Sequence, residues 1–286
     1  MDSTIRRFLT YLADDQGCTE NTILAYQADL HQLNRVVGVS LVKPASPEML
    51  NPEYISGFLA WLRRQGYKPA TIARKMAAVR SFLKYIDSKE GITTPRLLEE
   101  LSSPPSPRKR PRVLSKEEIS ALLEAPSKLD NPRVLRDRAI LFFISATGFR
   151  VTDVVNLRMK DVNFIREIVH RPSGMDHSVP LGAALEPMRQ YIENGRRHLL
   201  RNQRVRTFFI NQRGQSLSRQ GLWMVVKRWA AAAGLGGEVS PHTLRNTLVQ
   251  NMLDRGRTRQ EVQHFLGLSS PNAIWFRKKI NKKESE

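Results

Sequence analysis

From Ser3 to about Ser103 the apolar residues recur at helical spacing, with almost no strand-like alternation. Phe8, Leu9 and Leu12 mark a first helix, and Leu24, Leu30 and Leu33 mark a second, which Thr19 or Asn21 is placed to cap. A third follows Pro52, turns Ile55, Phe58, Leu59 and Leu62 inward, and ends near Gly66. In the fourth, Lys68 to Ile86, a narrow apolar stripe of Ile72, Met76, Val79, Leu83 and Ile86 opposes Arg74, Arg80, Ser81 and Lys84. The pattern predicts a small helical bundle.

The pattern breaks at SSPPSPRKRPRV, where proline removes backbone donors and disfavours helix in the preceding residue, so an extended linker is expected. A second domain opens at Ser115, whose spacing to Glu118 is that of a capping box. A nearly all-apolar helix, about Arg136 to Thr147, should be central and buried, and Gly148 should close it with a left-handed cap. A short helix through Asp153, Val154 and Leu157 comes next. From Val162 to Val179 the apolar residues are β-branched and short-spaced around RPSGMD, which predicts two or three small antiparallel strands, the only sheet. Helix resumes at about Ala184 to Asn194. After a turn at Gly214 and a Ser218 cap, another turns Leu222, Val225, Val226 and Trp229 inward.

Composition changes the picture mainly through charge. A formal net charge of +19 over 286 residues, with a pI near 10.6, points to a polyanionic partner. No run approaches a membrane span, which favours nucleic acid over an anionic membrane. The N-terminus lacks a continuous apolar signal core, so a cytoplasmic, nucleoid-associated protein is expected. Cys18 is the only cysteine, which excludes an intrachain disulfide and a cysteine zinc cluster; no metal or cofactor is expected.

The candidate chemistry lies between Ser240 and Phe276. Ser240 suits an N-cap and Pro241 the first helical position, so His242 and Arg245 become neighbours on one helix surface, with Leu244, Leu248 and Met252 turned inward. A planar guanidinium, an imidazole and a helix N-terminus together suit a phosphate. Alone, the pair is a weak signal and better fits two ordinary surface residues.

The blocks ATGFRVTDVVNLRMKDV and SPHTLRNTLVQNMLDRGRTRQEVQHFLGLSS resemble the signature boxes of the tyrosine recombinases, the phage integrase family, and especially its Xer-like members. The resemblance extends to RTFFINQRGQSLSRQGLWMVVKRWA, to VPLG and to TIARKMAAVRSFLKYI, so it covers nearly the whole chain. It implies a mainly helical fold: a SAM-like core-binding domain and a catalytic-type domain with a small antiparallel sheet, closing around DNA as a C-shaped clamp. The expected boundaries are 1–103, a basic linker at 104–113, and 114–286.

By the same resemblance Arg150, His242 and Arg245 hold the scissile phosphate and stabilise the charge that develops as a tyrosine attacks it. Asp153 either orients the first arginine or simply supplies charge at a helix N-terminus. Three departures follow. The hairpin lysine that protonates the leaving oxygen falls at Pro172, beside Arg171, and arginine is a poor proton donor near neutral pH. The box that normally reads leucine, glycine, histidine is Leu266, Gly267, Leu268. The nucleophile position falls on Arg277, or on Phe276 with a one-residue deletion, and neither side chain can form the phosphoester.

Double-stranded DNA is therefore the expected partner, with Arg74, Lys75, Arg80, Lys84, Arg108, Lys109, Arg110, Arg112, Arg171 and Arg219 as candidate contacts. The basic face of the fourth helix also fits an ordinary solvated surface. The C-terminal segment suggests a homo-oligomer or a hetero-complex with an active recombinase; a frayed basic tail is the simpler reading. The readings open at this point are a DNA-binding pseudo-enzyme, an active recombinase or integrase with a displaced nucleophile such as Tyr191, and a protein-interaction module that the charge disfavours.

Overall fold

The computed structural model describes residues 1–18, 20–40, 51–91, 111–128, 131–172 and 178–268. The chain divides into two compact units, Met1–Lys109 and Arg110–Glu286. Most of the predicted linker, including Arg108, Lys109 and Arg110, lies outside the described residues, as do Thr19, Phe276 and Arg277.

The first unit contains α1 (Asp2–Asp14), α2 (Glu20–Ser40), α3 (Pro52–Arg64) and α4 (Pro69–Glu90). Ile5, Phe8, Leu30, Leu33, Phe58, Leu62, Phe82 and Ile86 close a common core. Leu24, expected inward, is 54% exposed, because the buried face of α2 runs through Leu30, Leu33 and Val37. Lys75 also departs from expectation. It lies four residues before Val79, on the buried stripe, where its ammonium donates to Asp29 Oδ1 at 2.8 Å and Gln32 Oε1 at 2.6 Å and sits over the Tyr67 ring. Lys75 is thus a buried structural cation and is withdrawn from the proposed DNA face. Arg74 shares Asp29 from a more exposed position. Arg80 is half-buried and Lys84 exposed.

The second unit contains α5 (Lys116–Glu124), α6 (Pro132–Thr147), α7 (Val151–Asn156), α8 (Leu185–Gln190), a π-helical turn (Tyr191–Arg196), α9 (Arg197–Leu199), α10 (Arg219–Ala232), α11 (Pro241–Asp254) and α12 (Arg259–Leu266). The helix expected from Ala184 to Asn194 therefore runs on to Leu199 through the π turn. Between α7 and α8, β1 (Val162–Asn163), β2 (Ile168–His170) and β3 (Ser178–Pro180) form an antiparallel sheet in the order β1-β2-β3, with Val169 paired to Val162 and Val179. The predicted capping box at Ser115 and Glu118 is present, as is the Ser218 cap. Arg112, expected to contact DNA, is tied down on this unit by Glu118 and the Leu235 carbonyl.

The central helix is α6, whose Ala139, Ile140, Phe143 and Ile144 lie within the core. It also buries a carboxylate. Asp137 accepts from Arg136 Nε and Nη2 at 2.9 and 2.7 Å and from Trp229 Nε1 at 3.0 Å, which fixes α6 against α10. Removing one partner of a buried pair leaves the other charge without compensation, so Asp137→Ala should cost about 3–5 kcal/mol, read as a lowered urea midpoint.

Candidate functional site

Gly148 ends α6 at φ 61°, the left-handed conformation expected of it. A Cβ there would lie 2.8 Å from Leu266 Cδ2 and 3.0 Å from Leu248 Cδ2, so α11 and α12 approach this turn closely because the residue has no side chain. The chain leaves the turn through Phe149 and Arg150 into α7, and Asp153 Oδ2 accepts from the Arg150 backbone N–H at 3.3 Å. Asp153 is therefore an N-terminal capping carboxylate. Arg150 is exposed.

α11 begins as predicted, with Ser240 capping and Pro241 in the first turn. His242 remains exposed over part of its surface. Its pKa is held below the ordinary histidine value, first by desolvation and then by the positive charge of Arg245. Arg245, expected on the surface, is instead buried and donates to the Gly148 carbonyl. Burial, followed by repulsion from Arg150 and Arg171, pulls its pKa down to about 10, so it is still charged at neutral pH. Arg171, expected on DNA, turns inward beside Asp153, and desolvation lowers its pKa to about 10 as well. Arg171 thus stands 3.7 Å from Asp153, and Arg150 and Arg171 both lie near enough to Arg245 to repel it, as Arg245 does His242. Such an excess of positive charge at a partly buried site favours an anion.

The three departures divide. Pro172 is half-buried where β2 ends, and residues 173–177 of the hairpin lie outside the described residues. Leu268 follows Gly267, which caps α12 at φ 58°; its N–H donates to the Gln263 carbonyl, and its side chain packs on the cluster of Val249, Leu253, Val262 and Leu266. An apolar residue after a left-handed cap commonly makes such a contact. Tyr191, the candidate displaced nucleophile, is fully buried, its hydroxyl accepts from the Ile210 N–H at 3.2 Å, and burial pushes its pKa up to about 12. That position argues against Tyr191 itself as a displaced nucleophile, since its oxygen is buried and bonded and does not readily ionise. The other tyrosines, Tyr11, Tyr26, Tyr54, Tyr67 and Tyr85, belong to the first unit. Among the described residues no group of three or more His, Cys, Asp or Glu could hold a metal ion.

Residues 112–275 match the profile of the Phage integrase family, and residues 5–90 match that of the Phage integrase, N-terminal SAM-like domain. The chain belongs to the phage integrase, or tyrosine recombinase, family. Tyrosine recombinase XerC of Herpetosiphon aurantiacus is 34% identical over 277 residues, covering 94% of this chain and 88% of that protein. Tyrosine recombinase XerD of Listeria innocua is 34% identical over 273 residues, covering 93% and 90%. Among solved structures, the fold matches XerH bound to difH substrate (TM-score 0.68, 21% identity, 91% of this chain and 76% of that one) and a lambda integrase tetramer bound to a Holliday junction (TM-score 0.70, 18% identity, 100% and 80%). The mainly helical fold with a small sheet is thus that of the tyrosine recombinases.

The close approach of α11 and α12 to this turn depends on Gly148. Gly148→Ala should lower stability by about 1–3 kcal/mol, because it adds both a strained φ and a clash with Leu266, and equilibrium denaturation reads the loss directly.

Proposed function

We propose that this chain is a duplex-DNA-binding member of the tyrosine recombinase family that acts in a DNA recombination setting, holding a phosphodiester at Arg150, His242 and Arg245 without cutting it. The observation that carries the reading is the pairing of a charged phosphate cradle with the lack of a usable tyrosine. The cradle sets the buried Arg171 beside Asp153 and the buried Arg245 against the Gly148 carbonyl, with the exposed Arg150 on the segment between Gly148 and Asp153. In the same unit the sole tyrosine is the buried Tyr191. The net charge of +19 supports a nucleic-acid partner, and the exposed Arg219, Lys84 and partly exposed Arg74 are available as further phosphate contacts, each on its own unit.

Relatives with this fold have been solved as dimers and tetramers on DNA. Self-association is proposed here too, with pairing to an active recombinase as its mixed form.

A nicked duplex that traps covalent phosphotyrosine tests the reading. The purified chain should bind it and form no covalent product, and trapped adduct would overturn the assignment. Arg150→Ala should weaken duplex affinity by about tenfold and reduce the salt slope by about 1, as expected for one phosphate contact among several.

The pH dependence has a defined sign. A bound phosphate favours protonated His242, whose pKa in the free protein is depressed. The complex then takes up a proton, so affinity should rise as pH falls from about 7 to about 5.5. His242→Gln should flatten that rise in a fluorescence-anisotropy titration.

A further inference from the structure

Arg171 directly follows the last residue of β2, and its side chain is 2% exposed. Its guanidinium carbon lies 4.1 Å from the centroid of the Phe149 ring. Nη2 donates to the Phe265 carbonyl at 3.1 Å and, at the limit of a hydrogen bond, to the Thr147 carbonyl at 3.4 Å. Nη1 stands 3.7 Å from Asp153 Oδ2, an ion pair too long to be a hydrogen bond. Nε and Nη1 find no hydrogen-bond acceptor among the described residues.

An arginine buried with two donors unsatisfied is a costly way to fill space; leucine or methionine would occupy the same volume without desolvating a charge. Its contacts are also concentrated. Thr147 ends α6, Phe149 immediately precedes Arg150, and Asp153 accepts from the Arg150 backbone N–H. Phe265 belongs to the last turn of α12, which packs on Gly148 through Leu266. A displacement of Arg171 therefore reaches Arg150 from both directions along the chain, through the ring before it and the carboxylate after it. Arg150 also lies close enough to depress the pKa of Arg171, which agrees with that proximity.

We propose that Arg171 is a positioning residue for phosphate binding: it ties the base of the β2–β3 hairpin to the segment Gly148–Asp153 and to the end of α12, and so fixes Arg150 where it shares a phosphodiester with Arg245. The proposal rests on the phosphate-cradle reading above. A lysine cannot replace it, because one ammonium cannot reach two carbonyls and a carboxylate while covering an aromatic ring with a planar face. Arg171 touches no phosphate in this role; it acts through Arg150.

Two measurements on the full chain test it. Hydrogen exchange on the free Arg171→Gln protein should speed up at the amides of Phe149, Arg150, Gly267 and Leu268, while those of Ile140 to Ile144 and Val225 to Trp229 keep their protection. Duplex affinity should fall about tenfold on Arg171→Gln in the otherwise unchanged protein, but by less than about twofold when Arg150 is already alanine. Arg171→Lys should give a smaller loss with the same dependence on Arg150, and it carries both measurements should the glutamine variant not fold. Uniformly accelerated exchange, or equal affinity losses in the two backgrounds, would overturn the proposal by reducing Arg171 to general support. Failure of the unaltered chain to bind duplex would instead sink the DNA-gripping reading, and the exchange pattern alone would then decide whether the tie exists.

Discussion

At Gly148 three stretches of chain come together that only a residue without a side chain permits. The turn brings its own carbonyl to Arg245 and its bare Cα against Leu248 and Leu266, then releases the backbone into Phe149, Arg150 and Asp153. α6 is held independently through Asp137 and its apolar face, so the turn is presented from a rigid support. The cradle is therefore shaped by packing before any ligand arrives, which is the form of preorganisation that makes oriented charge effective.

Charge is the second constraint. Arg150, Arg171 and Arg245 repel one another, and one carboxylate offsets only part of that repulsion. Desolvation raises the cost further for the two buried guanidiniums, yet both remain protonated at physiological pH. An approaching phosphate is attracted by the same field that burdens the protein in its absence.

Much of the fold was legible because its signals are local. The box at Ser115, the caps at Ser218 and Ser240 and the left-handed end at Gly148 each depend on residues within a few positions, and the structure places them where the spacing does. The site was legible as a set of residues but not as an arrangement. Whether Arg171 faces solvent depends on the Thr147 and Phe265 carbonyls, and the latter lies 94 residues away. Lys75 was misplaced for the same reason, since Asp29 is 46 residues distant. A signal did exist there: both Asp29 and Lys75 sit on otherwise apolar helical stripes, where opposite charges at matching depth suggest a buried pair. Phe149 carried no such mark, and nothing in its neighbours in sequence reveals the guanidinium above its ring.

Arg245 serves the fold and the cradle through the same guanidinium, since it bonds the Gly148 carbonyl from a buried position. Leu268 carries no such double duty and is accommodated as the apolar residue after a helix cap. An arginine that also closes a helix end is held by the cost of unfolding, whatever ligand it meets. Loss of Arg245 would therefore disturb a helix end as well as remove a charge, whereas the exposed Arg150 can be altered with less disturbance to the packing.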